Sequence, residues 1–199
     1  MALWSGRFEK GADAFTQRFG ASLPVDKKLY AQDVAGSVAH GQMLAAQGVI
    51  SAKDAAAIKE GLAAIQAAIE GGTFAFDINN EDIHMSIESA LTAVIGDAGA
   101  RLHTGRSRND QVVTDTRLYA KQRASDLMDA NLALRAALLE TAEKHFDVIL
   151  PGYTHLQHAQ PVLLSHHLLA YVWMLTRDFE RLAAARAAAD ANPLGSAAL

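Results

Sequence analysis

Apolar residues in the first half of the chain recur every three or four positions, a spacing that predicts helices. Gly48 and Gly71 mark helix ends, and Ser51 with Asp54 three residues later is typical of a capped helix start. The stretch 73–80 carries turn formers and is predicted to be an extended loop. Together these signals predict three helices, over residues 26–47, 51–70 and 81–95.

The second half carries much longer stretches without helix breakers. Residues 109–150 contain neither Gly nor Pro, so one continuous helix of roughly 60 Å is predicted there, at about 1.5 Å per residue. Pro151 and Gly152 end it, a polar loop follows, and Pro161 suits the first turn of a second long helix over 162–191. The first half of that helix is apolar on nearly every side, with Leu163, Leu164, Leu168, Leu169, Tyr171, Val172 and Trp173. A helix that is apolar all round must be buried, which predicts a bundle completed by other segments or other chains.

These patterns predict an all-α fold that begins with a small N-terminal helical domain over residues 1–105. Residues 106–199 are predicted to form the first long helices of a central, oligomeric helical bundle. The charge shifts from net acidic in the first hundred residues to nearly neutral in the rest, which agrees with a boundary near residue 105. The end of the chain, 192–199, is apolar and turn-rich, and it is expected to be an interruption rather than an end.

The composition narrows the class of protein. The chain has 199 residues, of which 50% are hydrophobic and 20% charged, so it can bury a sizeable core. A formal net charge of −4 argues against a general nucleic-acid binder, and the absence of Cys excludes disulfides, thiolate zinc sites and cysteine nucleophiles. The start lacks an apolar signal segment, and the longest apolar run, 168–175, is far shorter than the roughly 18 residues of a membrane span. A cytoplasmic protein with neither nucleic acid nor membrane as a partner is therefore expected.

The densest polar cluster of the sequence is the run 103–111, which opens the first long helix of the second half. It combines the guanidiniums of Arg106 and Arg108 with hydroxyl and amide groups at the positive end of a helix. That setting suits a carboxylate or a phosphate. The alternative is a solvated loop in which Asn109 or Asp110 only caps the helix.

A second polar cluster fills the predicted loop 152–161 between the two long helices. His155 stands beside the hydroxyl of Thr154 and near two amides, so it could move a proton while its neighbours orient a polar substrate. The alternative is that His155 only hydrogen-bonds backbone in a tight connection. A metal site built on His155 with His158, or on the adjacent pair His166 and His167, is disfavoured because no acidic or thiolate residue completes a ligand set.

Two smaller features precede these clusters. The segment 4–8 offers Ser5 and a cation beside a flexible Gly, and the segment 80–84 contains Asp82 and His84 at the start of the third predicted helix. Each is also typical of plain capping or surface chemistry.

Taken together, four segments resemble the argininosuccinate lyase family, within the fumarase/aspartase superfamily. The segments are residues 3–8, 81–84, 103–111 and 152–161. They follow the order and spacing of the corresponding family segments, and the resemblance extends over the whole chain. The run Arg106-Ser-Arg-Asn-Asp110 is the specific part, because the fumarase and aspartase branches look like Ser-Ser-Asn-Asp at that point.

The resemblance implies a reaction and a site. The reaction is the reversible elimination of L-arginine from argininosuccinate, which leaves fumarate and requires no metal or organic cofactor. The family packs its long helices into a homotetramer and builds each active site from segments of three subunits. His155 is the implied proton-transfer residue, paired with a Ser of a further segment, and which of the two removes the proton stays open. The implied substrate-binding residues, the last three of them in support, are Ser5, Asn109, Thr154, Arg108, Asp82 and His84.

The chain departs from the family pattern in one respect. A third family segment, a mobile loop that supplies a Ser and a Lys, is absent from these 199 residues, so the chain by itself is expected to be inactive. Two alternatives remain open. One is a non-catalytic, crystallin-like structural protein on the same fold, which the presence of His155 and Asn109 disfavours. The other is a lyase for another succinyl adduct, which the run 106–110 disfavours.

Overall fold

A computed structural model of the chain describes residues 13–197. Within these residues helices dominate, which confirms the predicted all-α class, and the β structure is a single two-stranded antiparallel sheet. Short 3₁₀ turns at Lys27–Leu29 and Ile78–Asn80 link some of the helices. In chain order the elements are α1 Ala14–Gly20, α2 Leu23–Asp26, α3 Tyr30–Ala46, α4 Ala52–Glu70, α5 Ile83–Ile95, α6 Asp97–Arg101, α7 Arg108–Lys144, β1 Ile149–Thr154, β2 Gln157–Leu163 and α8 Leu164–Ala189.

The chain divides into two compact units. The first contains Met1–Thr116 with Asn192–Leu199, and the second contains Arg117–Ala191. The first turns of α7 belong to the first unit and the rest of that helix to the second. The domain boundary predicted near residue 105 stays a prediction.

The core of the first unit lies between α3, α4, α5 and α6. Its fully buried apolar side chains come from the stripes that the sequence predicted, and they are Ile58, Leu62, Ile83, Ile87 and Leu91. Each such side chain contributes roughly 1.5–3 kcal/mol relative to an exposed one. Gly61 lets α4 approach α5 closely, because a Cβ at that position would lie 2.6 Å from Leu91 Cδ1.

Local signals set the helix ends of the first unit. The Asp54 amide donates to Ser51 Oγ (3.0 Å) and the Ser51 amide donates to Asp54 Oδ2 (3.4 Å), which confirms the predicted cap of α4. Gly71 caps the other end, as predicted. Helix α5 begins two residues later than predicted, because the Asp82 carboxylate accepts from the Met85 amide (2.6 Å) and makes Asp82 the N-cap.

The second unit corrects the predicted connection between the long helices. The first long helix ends at Lys144 instead of residue 150, and the predicted polar loop is the hairpin of β1 and β2, in which Ile149 pairs with Leu163. Pro161 lies in β2, where it pairs with Pro151, and does not start a helix. The physical reason is that proline disfavours the helical conformation of the residue before it, while strand pairing satisfies the backbone groups of this connection.

The two long helices of the second unit contact each other through polar bonds. Asn131 Nδ2 donates to the Leu175 carbonyl (2.9 Å), and Arg186 Nε donates to Ser125 Oγ (2.9 Å). Many large apolar side chains of this unit are exposed, among them Leu127, Leu134, Phe146, Ile149, Leu156, Tyr171, Trp173 and Met174. Among the described residues, no helix combines the length and the hydropathy that crossing a membrane requires.

Candidate functional site

A tight turn presents the first residues of α7. The Ser107 amide donates to Asp110 Oδ1 (3.0 Å), and the Asn109 amide donates to Ser107 Oγ (3.2 Å). Asp110 therefore takes part in capping, as one of the sequence interpretations proposed, and its other oxygen accepts from the Ala197 amide (2.8 Å). The side chain of Asn109 is exposed at the start of the helix, so it is available to a ligand.

Arg108 is held in a defined position inside this part of the first unit. Its Nη2 donates to Glu88 Oε2 (2.8 Å) and its Nη1 donates to Gln111 Oε1 (3.0 Å). Its Nε lies 3.7 Å from Asp82 Oδ2, so the structure brings together two of the residues that the sequence singled out. Burial raises the pKa of Glu88, but the hydrogen bonds and charges of His103 and Arg108 outweigh this and hold that pKa at about 2.

Arg106 turns into the protein, although the sequence pattern grouped its guanidinium with that of Arg108 as a setting for an anion. It is only 7% exposed, and its Nη1 donates to Ser37 Oγ on α3 (2.9 Å). Burial lowers its pKa, while the nearby carboxylates of Asp33 and Glu88 oppose that effect. Arg106 therefore ties the turn before α7 to α3, and Arg108 is the less buried of the two guanidiniums.

Beneath this turn lies a buried cluster of Asp33, His84 and Asp115, from α3, α5 and α7. His84 Nδ1 lies 2.9 Å from Asp33 Oδ1 and 3.2 Å from Asp115 Oδ2, and none of the three residues is more than 2% exposed. His84, which the resemblance implied as a supporting substrate-binding residue, is therefore buried in the interior. Asp33 and Asp115 were missed, although Asp33 and Ser37, four residues apart, are polar positions on the buried face of α3, a signal that the sequence contained.

The surroundings of His84 in this cluster favour its protonated form. Burial lowers the pKa of His84, but hydrogen bonds and charges from Asp115 and Asp33 prevail and raise it to about 9. Burial raises the pKa of Asp115 to about 7, and Asp33 adds to that rise, whereas His84 and Gln111 help to keep the pKa of Asp33 low.

Within the part of the chain that the structure describes, these three residues form the one group whose donor atoms, all within 4.8 Å of one another, lie close enough for a metal ion. The N–H of Gln111 also donates to Asp33 Oδ1 (2.5 Å), and the two carboxylates stabilise the protonated form of His84.

His155 stands at the tip of the hairpin in the second unit. With φ of 49° and 62°, His155 and Leu156 form a two-residue turn between the paired Thr154 and Gln157, and both have the positive φ that a type I′ turn requires. Such backbone is unusual for residues other than Gly and Asn, and it is sparsely populated except where the fold imposes it. His155 and Thr154 are both exposed, and no hydrogen bond of the His155 ring is found among the described residues.

The remaining sequence candidates are placed as follows. His158 hydrogen-bonds through Nε2 with the Tyr153 hydroxyl at 3.0 Å, across the hairpin. His167 packs edge-on against Tyr171 with ring centroids 5.4 Å apart, which is a packing role. Ser5 lies outside the described residues.

Each comparison with known proteins includes lyases among its matches. A family model described as Lyase matches residues 6–199. The argininosuccinate lyase of Symbiobacterium thermophilum is 53% identical over 197 residues, which are 99% of this chain and 43% of that protein. The argininosuccinate lyase of Ralstonia pickettii is 52% identical over 196 residues, or 98% of this chain and 42% of that protein. The structure of an EDDS lyase variant with bound fumarate matches with a TM-score of 0.73 and 27% identity, over 92% of this chain and 38% of that one.

Proposed function

The chain belongs to the lyase family whose model it matches, and on that premise we propose that the whole protein is an argininosuccinate lyase. The observation that carries the proposal is the run 106–110, which opens α7, together with 53% and 52% identity to argininosuccinate lyases over nearly the whole chain. These identities confirm the resemblance seen in the sequence. The chain spans about 43% of the length of such a relative, so the proposal concerns the complete protein.

The proposed reaction explains why cations and amides gather at the start of α7. A base takes a proton from the carbon next to a carboxylate, the C–H electrons form the double bond of fumarate, and the C–N electrons leave with the guanidinium nitrogen of arginine. This proton is weakly acidic because the negative charge that its removal leaves on the carbon must spread onto the neighbouring carboxylate. Arg108, the amide of Asn109 and the positive end of α7 are groups that stabilise such a charge.

Each candidate residue has a proposed role. Asn109, Thr154 and Ser5 bind the substrate, and Arg108 with Asp82 supports that site. His155 takes part in proton transfer, and its position on a two-residue turn supports this role because a short hairpin limits the movement of its backbone. His84 acts indirectly, from the buried cluster below the turn. The chemistry proposed needs no metal or organic cofactor.

The proposal extends to assembly and setting. We propose a homotetramer in which segments of three subunits form each active site. The exposed apolar side chains of the second unit support association, because leaving them in water forgoes roughly 1.5–3 kcal/mol for each one that a partner could bury fully. We place the protein in arginine biosynthesis and in the cytoplasm.

The test is a substrate panel on the complete protein. Fumarate release is followed by absorbance with argininosuccinate, adenylosuccinate, malate and aspartate as separate substrates. The expected result is the highest kcat/KM for argininosuccinate. A higher kcat/KM for any of the other three would overturn the assignment, and no turnover of any substrate would favour a structural protein.

A further inference from the structure

Gln111 connects the buried cluster to Arg108. The side chain is only 3% exposed, its Nε2 donates to Asp33 Oδ1 (2.5 Å), and its Oε1 accepts from Arg108 Nη1 (3.0 Å). The connection runs from α3 to the first turn of α7, and Glu88 of α5 then accepts from the other end of the guanidinium. Both ends of the Gln111 amide are therefore hydrogen-bonded to described residues of the first unit.

The direction of this connection is fixed by chemistry. An ionised carboxylate only accepts hydrogen bonds and a guanidinium only donates them. The amide of Gln111 must therefore turn its nitrogen to Asp33 and its oxygen to Arg108. A flipped amide would place two acceptors together at one end and two donors at the other, and it would leave buried polar atoms without hydrogen bonds.

A second contact sets the plane of the guanidinium. With Nη1 on Gln111 and Nη2 on Glu88, the fork of Arg108 is held at two points, and its Nε has no hydrogen-bond partner among the described residues. Of the N–H groups that these two contacts leave, the Nε–H is buried and lies near Asp82 Oδ2 (3.7 Å), so an anion would meet the remaining N–H groups of Nη1 and Nη2. The low pKa of Asp33 supports this arrangement, because the carboxylate stays ionised and keeps the amide in one orientation.

We propose that Asp33 and Gln111 are positioning residues of the lyase site, which fix the orientation of the Arg108 guanidinium toward the substrate carboxylate through one buried amide. Neither residue touches the substrate. The inference rests on the proposed function, and it adds a determinant that lies behind the substrate-binding run. The inference requires that one side chain of the pair at positions 33 and 111 accepts the hydrogen bond and the other donates it. The volume and packing of these side chains matter less.

The test exchanges that polarity in the complete protein. Gln111→Glu brings a second carboxylate against Asp33, so we expect kcat/KM for argininosuccinate to fall about a hundredfold, mainly through a higher KM, as the guanidinium is displaced. The double variant Asp33→Asn with Gln111→Glu restores a donor at position 33 and an acceptor at position 111. It should recover at least tenfold of that loss.

A matched control makes the same chemical change at the surface. Gln66 Nε2 donates to Glu70 Oε1 (2.9 Å) at an exposed position of the same unit, so Gln66→Glu should change kcat/KM less than twofold. The thermal midpoint of each variant is measured beside its kinetics. Rescue by the double variant also shows that the effect of Gln111→Glu is polar, because a purely structural defect would be deepened by a second core substitution.

Two results would overturn the inference. One is a kcat/KM of Gln111→Glu within twofold of the parent protein, and the other is a folded double variant with no recovery. A crystal structure of the Gln111→Glu protein gives a readout that is independent of activity, and Arg108 should leave its contact with Glu88 there. If the parent protein does not turn over argininosuccinate, the proposed function fails. The crystal structure of the Gln111→Glu protein then tests the positioning of Arg108 independently, and an unmoved Arg108 would refute the inference.

Discussion

Raising the pH from 6.5 to 9.5 should destabilise the first unit through the buried cluster of Asp33, His84 and Asp115. His84 has a pKa of about 9 in the folded protein and an ordinary value of 6.5 in an unfolded chain. When the pKa of a histidine is higher in the folded than in the unfolded state, its protonation stabilises the fold, and this contribution is complete at pH values below the unfolded-state pKa. The contribution is lost as the pH rises through the folded-state pKa. The stabilising proton is therefore removed within this range.

The magnitude follows from the two pKa values. Each pH unit between 6.5 and about 9 removes about 1.4 kcal/mol, so the folded unit loses about 3 kcal/mol across the range. Asp115, with a pKa of about 7, acts in the same direction at the lower edge, since its bound proton is also lost. Among the other shifted groups of the unit, the pKa of Asp33 and that of Glu88 are lowered and matter only in acid, the lowered pKa of His40 matters only below 6.5, and Arg106 has its pKa lowered from 12.5 and so titrates on the alkaline side.

The assay is amide hydrogen exchange of the α5 peptide, corrected at each pH for the intrinsic exchange rate. Protection of α5 should fall about a hundredfold between pH 6.5 and 9.5, which corresponds to about 3 kcal/mol. His84→Asn keeps a side-chain donor near Nδ1 but does not titrate, so its protection should be lower at pH 6.5 and should fall less than in the unsubstituted protein, by the smaller share that Asp115 contributes.

Two outcomes would refute the reasoning. Constant protection in the unsubstituted protein would mean that His84 gains no proton on folding. An equal decline in His84→Asn would assign the titration to another group. In either case the cluster would not hold its proton as the distances of 2.9 and 3.2 Å indicate.

Two further predictions concern the second unit. In the complete protein, His155→Asn should lower kcat about 10²–10⁴-fold, whereas His158→Asn, which loses only the exposed contact with the Tyr153 hydroxyl, should have a mild effect; equal effects would show that the hairpin roles are misassigned. Trp173 is 63% exposed, so Trp173→Asp should weaken self-association by placing an unpaired charge in the interface, as measured by light scattering across a dilution series. A monodisperse, folded monomer of the unsubstituted chain at micromolar concentration would contradict the interface.

The helix ends of the first unit were predictable because their signals are local. Ser51 and Asp54 cap α4 within four residues of sequence, and Gly71 ends the helix one residue after its last turn. Signals of this kind act through backbone groups that every helix leaves unpaired, so they do not depend on the rest of the fold.

The hairpin was not predictable from such signals. Its turn contains His155 and Leu156 at positive φ, where a two-residue turn most often carries Asn and Gly. A sequence rule that looks for glycine therefore misses it. The pairing of Pro151 with Pro161 is equally atypical of strands, because proline cannot donate to a ladder.

The buried cluster escaped the sequence because its members are far apart along the chain. Asp33 precedes His84 by 51 residues, and the polar pair Asp33 and Ser37 on one face of α3 does not indicate which residues of other helices it contacts. Their meeting depends on how α3, α5 and α7 pack, which periodicity within one helix does not specify. The burial of Arg106 was not predictable for the same reason, since only the packing of α3 shows that Ser37 Oγ accepts from its guanidinium.

The burial of Asp33, His84, Asp115 and Arg106 is not explained by stability. Moving a charge from water into a protein interior costs several kcal/mol, and well-packed apolar residues of similar volume are often at least as stable as a buried ion pair. Apolar contacts, however, have no direction, whereas a hydrogen bond distinguishes donor from acceptor. Asp33 determines which way the amide of Gln111 turns, and that amide determines where Arg108 Nη1 lies. The charged cluster thus gives the first turn of α7 an orientation that an apolar core could not impose, at the place where the proposed reaction needs a fixed cation.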